Sequence, residues 1–111
     1  MKVQFNDRFK FRVWNNTYKQ YLRVVNVCVP DNVSQLFVGD DEVIEQCTGL
    51  KDKNGNLIYE GDVVKTKTGS IYEIKWVETG FFAYDDGFIN AIDFLECPEI
   101  IGNIHEQKDA A

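Results

Sequence analysis

An all-β fold, arranged as a small barrel or sandwich, is predicted by three observations. Val, Ile, Thr, Phe, Tyr and Trp, which suit pleated strands, number 41 of 111 residues, while the helix formers Ala, Leu and Met together number 10. Short apolar stretches recur at close spacing along the whole chain. Turn dipeptides such as Asn54-Gly55 and Thr68-Gly69 separate them. A helix bundle is excluded on this composition. So is a disordered chain, because 44% of the residues are hydrophobic and 14% aromatic. The length suits one domain, 1–111, with a single core.

The elements follow in order. Phe9, Phe11 and Val13 alternate with Arg8, Lys10 and Arg12, which predicts a strand with an apolar and a basic face. Asn15-Asn16 turns the chain. Residues 18–29 read as a longer strand ended by Pro30-Asp31-Asn32, and 33–38 as a short one. An acidic turn, Gly39-Asp40-Asp41-Glu42, precedes a strand over 43–48. Short strands are expected at 57–59, 63–66, 70–77, 81–84 and 88–89, and a last one over 100–105. Asn90 is placed to cap one short helix over 90–96, which Pro98 closes. Phe11, Val13, Tyr72, Ile74 and Trp76 are the expected core. Closing such strands into a barrel removes exposed edges.

Charge is unevenly placed. The chain carries 12 basic and 18 acidic groups, a net of -6. Residues 1–29 hold six basic groups and one acid, a net of +5, which leaves -11 for residues 30–111. Neighbouring strands can neutralise these charges internally, at roughly 0.2–1 kcal/mol per exposed pair. Alternatively the basic residues form a stripe for a polyanion and the acids a surface for a basic partner. Cys28, Cys47 and Cys97 have no close pairing, and His105 is the only histidine, so a metal site is not expected. The cysteines read as small buried apolar residues in a reducing compartment. The first residues carry no apolar signal-peptide core, and no stretch is long enough to span a membrane, so the cytoplasm is expected.

No constellation supports catalysis or a cofactor. Asp52-Lys53-Asn54-Gly55-Asn56 departs from a calcium loop, because Gly55 is its fourth residue and Val63 its twelfth. Asp40-Asp41 and Asp85-Asp86 are paired acids in turns, whereas a general acid needs an apolar pocket. The glycine spacing fits no phosphate loop. Non-catalytic binding of a protein partner, a host factor or a second copy of the chain, is therefore expected. Trp14 and Tyr18 are candidate aromatic anchors, with Asp40, Asp41, Glu42, Asp85 and Asp86 as acidic contacts. The alternative is a barrel that binds single-stranded nucleic acid through Arg8, Lys10, Arg12, Trp14 and Lys19, which mix basic and aromatic groups as such surfaces do. The sequence pI near 4.7 weighs against it.

Three segments resemble one family. Thr48-Gly49-Leu50-Lys51-Asp52-Lys53-Asn54-Gly55 runs into Ile58-Tyr59-Glu60-Gly61-Asp62-Val63-Val64. Ile100-Ile101-Gly102-Asn103-Ile104-His105-Glu106 comes near the end, and Phe9-Lys10-Phe11-Arg12-Val13-Trp14 near the start. Together they are similar to the YopX family of small proteins of bacteriophages and prophages. That resemblance implies an SH3-like barrel with an N-terminal strand extension, and a setting in the bacterial host cytoplasm. It implies no reaction and no catalytic residues. The chain ends in Gln107-Lys108-Asp109-Ala110-Ala111, where family members often continue with Asn-Pro and an apolar tail. The central motif also has a structural reading. Its glycines suit reversals at positive φ, Asp52 and Asp62 can accept backbone amides, and Leu50, Ile58, Val63 and Val64 can fill a core.

Overall fold

The computed structural model describes residues 9–27, 39–77, 80–85, 88–92 and 95–106. It is strand-dominated, and its strands pair antiparallel. The chain divides into two compact units, Met1–Leu50 and Lys51–Ala111.

In the first unit, β1 (Lys10–Asn15) lies between β2 (Gln20–Asn26) and β3 (Glu42–Lys51). Val13, Val25 and Cys47 are fully buried, and Trp14 is 5% exposed. The register of β1 against β2 shifts between Val13 and Trp14. Such a bulge breaks the simple in–out alternation, and Val13, Trp14 and Asn15 are all buried in succession. Phe11 is half-buried, while Phe9, before the strand, is exposed. The strand expected over 33–38 lies outside the described residues. β3 runs on through Gly49, whose φ of 87° is one that glycine adopts without steric cost.

The second unit holds β4 (Leu57–Tyr59), β5 (Asp62–Lys65), β6 (Ile71–Val77), β7 (Gly80–Asp85), β8 (Phe88–Ala91) and β9 (Glu99–Asn103). Its sheet has the order β8-β7-β6-β5-β9: four meandering strands, with the last returning to pair with the first of them. This is the strand order of an SH3-like barrel, left open between β8 and β9 among the described residues. Ile58, Val64, Ile74, Ala83 and Ile92 form its core, with Tyr72, Phe81, Leu95 and Ile100 packed against them.

Several expectations are corrected. Residues 90 and 91 belong to β8, Leu95 N–H donates to the Ile92 carbonyl at 3.0 Å, and residues 93 and 94 lie outside the described residues. Strand pairing to β7 satisfies the backbone of Asn90 and Ala91, so helix has nothing to gain there. A helical turn lies at 104–106, where Asn103 Oδ1 accepts the amides of His105 and Glu106 at 2.9 and 3.0 Å. His105 is therefore past the end of β9. Trp76 is 50% exposed, because β6 has passed the core by that residue, and its ring lies edge-on against Phe81, its cross-strand partner, with centroids 4.8 Å apart. Leu50 is 41% exposed, and Cys97 is exposed rather than buried.

The central motif is a set of backbone braces. Asp52, 6% exposed, accepts the amides of Asn54 and Asn56 on Oδ1, each at 2.9 Å, and that of Ile100 on Oδ2 at 3.1 Å. Burial alone would push this carboxyl up. The amides of Ile100, Asn56 and Asn54, with the Asn56 side chain, outweigh burial and hold it below its ordinary value. Asp62 accepts the Tyr59 amide at 2.8 Å, and Gly61, at φ 91°, donates to the Ile74 carbonyl and accepts from the Ile104 amide.

Candidate functional site

The first unit brings four of the candidate contact residues together at one end of its sheet. The β1–β2 turn is built by Asn15, whose Oδ1 accepts the amides of Thr17 and Tyr18 at 2.8 and 2.7 Å, while its carbonyl accepts the Lys19 amide. This side-chain turn holds Lys19 at φ 59°. The turn before β3 packs beside it. Asn16 N–H donates to the Asp41 carbonyl at 2.7 Å, and the Thr17 hydroxyl donates to Asp41 Oδ2 at 2.6 Å. Asn15 and Glu42 are cross-strand partners, and the Asn15 amide nitrogen lies 3.3 Å from Glu42 Oε2.

The result is a pinned double loop with Tyr18 at its tip, 69% exposed, and Asp40 and Asp41 exposed beside it. Glu42 has a different part. Its carboxylate also faces the Gly39 amide at 3.4 Å and Arg23 Nη2 at 3.6 Å, so it braces the loop rather than presenting itself outward. Asp85 is exposed at the end of β7 in the second unit. Asp86 lies outside the described residues.

Trp14 is not a surface anchor. It is buried, its indole N–H donates to Asn16 Oδ1 at 3.0 Å, and its ring meets Tyr21 edge-on with centroids 4.9 Å apart. Arg12 is likewise turned to structural use. Its Nε lies 2.8 Å from Glu45 Oε1, and its guanidinium sits 4.3 Å from the centre of the Tyr21 ring. Tyr21 Oη donates to the same Glu45 oxygen at 2.9 Å. Lys19 is exposed, Lys10 is half-buried, and Arg8 lies outside the described residues. Part of the N-terminal positive charge is thus balanced by β3, through Arg12–Glu45 and Arg23–Glu42.

Two functional features escape the sequence reading. Thr17 fastens the two loops, and Glu45 gathers Arg12 and Tyr21; both depend on β3 lying beside β1 rather than on any local pattern. Among the described residues no group of three or more His, Cys, Asp and Glu is placed to hold a metal ion. No helix among them is long and apolar enough to cross a membrane.

No curated protein matches the chain. Among solved structures, it is similar to the crystal structure of protein EF1440 from Enterococcus faecalis, with 25% identity and a TM-score of 0.61 over 91% of this chain and 96% of that one. The sequence pattern described as YopX protein matches residues 31–109, which takes in the central motif and the segment at 100–106 and leaves out the strand at 9–14. With well over half its length matched, and the buried Asp52 and Asp62 braces lying inside the match, the chain belongs to the YopX family.

Proposed function

We propose that this is a phage-encoded accessory protein that works in the bacterial cytoplasm, without catalysis, by binding a protein partner through the Tyr18 loop. The observation that carries this reading is an aromatic side chain 69% exposed on a loop whose backbone is held by four hydrogen bonds, two to Asn15 Oδ1, one to the Asn15 carbonyl and one to the Asp41 carbonyl. A large amphipathic ring on a pre-ordered loop loses little conformational freedom when it docks, which is what binding hot spots require. Asp40 and Asp41 beside it favour a basic surface on the partner, a bacterial host factor or a second copy of this chain. Binding of single-stranded nucleic acid draws less support, since Arg12 is tied to Glu45 and Trp14 is buried.

The test is affinity capture of the tagged protein from infected cells, with its mass in solution measured in parallel. A stoichiometric partner, or a dimer, that is lost in both Tyr18→Ala and Asp40→Lys is the expected result. A partner or dimer retained by both variants, or a strict monomer that captures nothing, defeats the reading.

A further inference from the structure

The second unit contains a cleft that the binding reading does not use. Its volume is about 490 Å³, and Lys53, Lys65, Thr66, Lys67, Cys97 and Glu99 line it. That volume lies within the usual range for small-ligand sites, about 300–1,000 Å³. The strand ends build it. Lys65, the last residue of β5, is the cross-strand partner of Glu99, the first of β9. Beyond this pair Lys67 N–H donates to the Glu96 carbonyl at 3.0 Å, and on the other side Lys53 N–H donates to the Pro98 carbonyl at 2.8 Å. Residues 96–98 are thus held at both ends, with Cys97 between them at φ 48° and exposed.

The electrostatics of this lining run against those of the chain. The protein carries a net -6, yet among the described residues the cleft sets three lysines against one glutamate, a local +2. The Glu99 carboxylate is already engaged by Lys53, Nζ to Oε1 3.3 Å. Lys65 and Lys67 make no ion pair among the described residues. Ammonium groups gathered around one concavity raise the local concentration of anions there.

We propose that this cleft is an anion-binding site for a small phosphorylated molecule. Lysine offers a point charge with three rotatable donors, which suits the several oxygens of a phosphoryl group. The local charge of +2 also matches the roughly -2 of a phosphoryl group more closely than the single charge of a carboxylate. The ligand is small because acids bound the site. Glu99 is in its wall, and Glu96 lines the adjoining recess that shares Thr66, so an extended polyanion leaving the lysines in that direction meets like charge.

Cys97 supplies a built-in reporter. The protein is treated with iodoacetamide, a neutral reagent, and labelling at each cysteine is followed by mass spectrometry while pyrophosphate is titrated at constant ionic strength. Cys97 labelling should slow at least about threefold and level off as the site fills, because the occupied cleft shields the thiol. The shielding should vanish in the Lys65→Gln/Lys67→Gln double variant and persist in Lys51→Gln, a lysine outside the cleft. Both substituted lysines are exposed, and a circular dichroism spectrum matching that of the parent establishes that the double variant is folded. Labelling indifferent to pyrophosphate overturns the proposal, as does protection that survives the double variant. Protection by a single-stranded oligonucleotide at a lower phosphate concentration than pyrophosphate requires also overturns it, since the site then serves a polymer.

Discussion

Arg12 and Glu45 face each other across the β1–β3 pair, Nε to Oε1 2.8 Å, with only 13% and 4% of their side chains exposed. This pair joins the basic N-terminal part of the chain to its acidic remainder. Removing either partner strands the other in a low-dielectric setting. Glu45→Ala is expected to cost about 3 kcal/mol of unfolding free energy. Glu45→Ala also leaves the Tyr21 hydroxyl without this acceptor. A double-mutant cycle with Arg12→Ala, read from urea unfolding, should show a coupling of about 1–3 kcal/mol. Additive losses would mean that the two charges do not support one another.

Asp52 makes stability depend on acid. Its carboxyl titrates below the ordinary 3.8 in the folded chain. A depressed folded pKa contributes stability that is fully present above the unfolded value and is lost as pH falls through the folded one. Asp52→Asn replaces one carboxylate oxygen with a donor, so it cannot accept all three amides, and near neutral pH it should cost about 1–3 kcal/mol. The gap between parent and variant should stay constant at neutral pH and narrow below about pH 4. A gap independent of pH down to acid unfolding would refute the bracing role.

Gly55 isolates the cost of backbone conformation. It sits at φ 87°, and a Cβ built there meets nothing within 4 Å. Gly55→Ala should therefore destabilise by about 1 kcal/mol through the left-handed backbone alone. Gly55→Asn should cost less, since asparagine tolerates that region. Equal losses for the two variants, measured by thermal unfolding, would point to another cause.

The two tryptophans should be separable by solvent quenching. Trp14 is 5% exposed and Trp76 50%. Acrylamide should quench Trp14→Phe, which leaves Trp76, several-fold more steeply than Trp76→Phe. Trp14→Phe should also lose stability, because Asn16 Oδ1 loses its indole donor.

Tyr18→Ala should leave stability within about 0.5 kcal/mol, as a surface change away from packing does. The loop is held by Asn15 and Asp41, not by the ring. Any loss of partner capture in this variant is then a loss of contact. A drop in unfolding free energy beyond that margin would show that the ring supports the fold and would void the capture comparison.

What the sequence by itself determines is strand identity, turn position and family. β-branched and aromatic residues in short runs mark β1, β3, β5, β6 and β7, because a strand's preference is carried by each residue's own shape. The turns at Asn15 and Asp52 are equally local, each made by one side chain accepting amides two to four residues on. The motif around Gly49, Gly55 and Gly61 can be read as family for the same reason, since positive φ restricts the residue on the spot. Tertiary structure alone decides which face is covered and which charges meet. Period-two alternation assigns Trp76 to the same side as Ile74, but whether that side is buried depends on how far the core extends under β6. Residues 90 and 91 carry helix-compatible residues and a capping asparagine, and pairing with β7 overrides that local preference. Trp14 looks like an anchor among basic residues until the bulge in β1 turns it inward. The partners of Arg12 and Thr17 lie 33 and 24 residues away, a separation across which no sequence pattern acts and only strand register does.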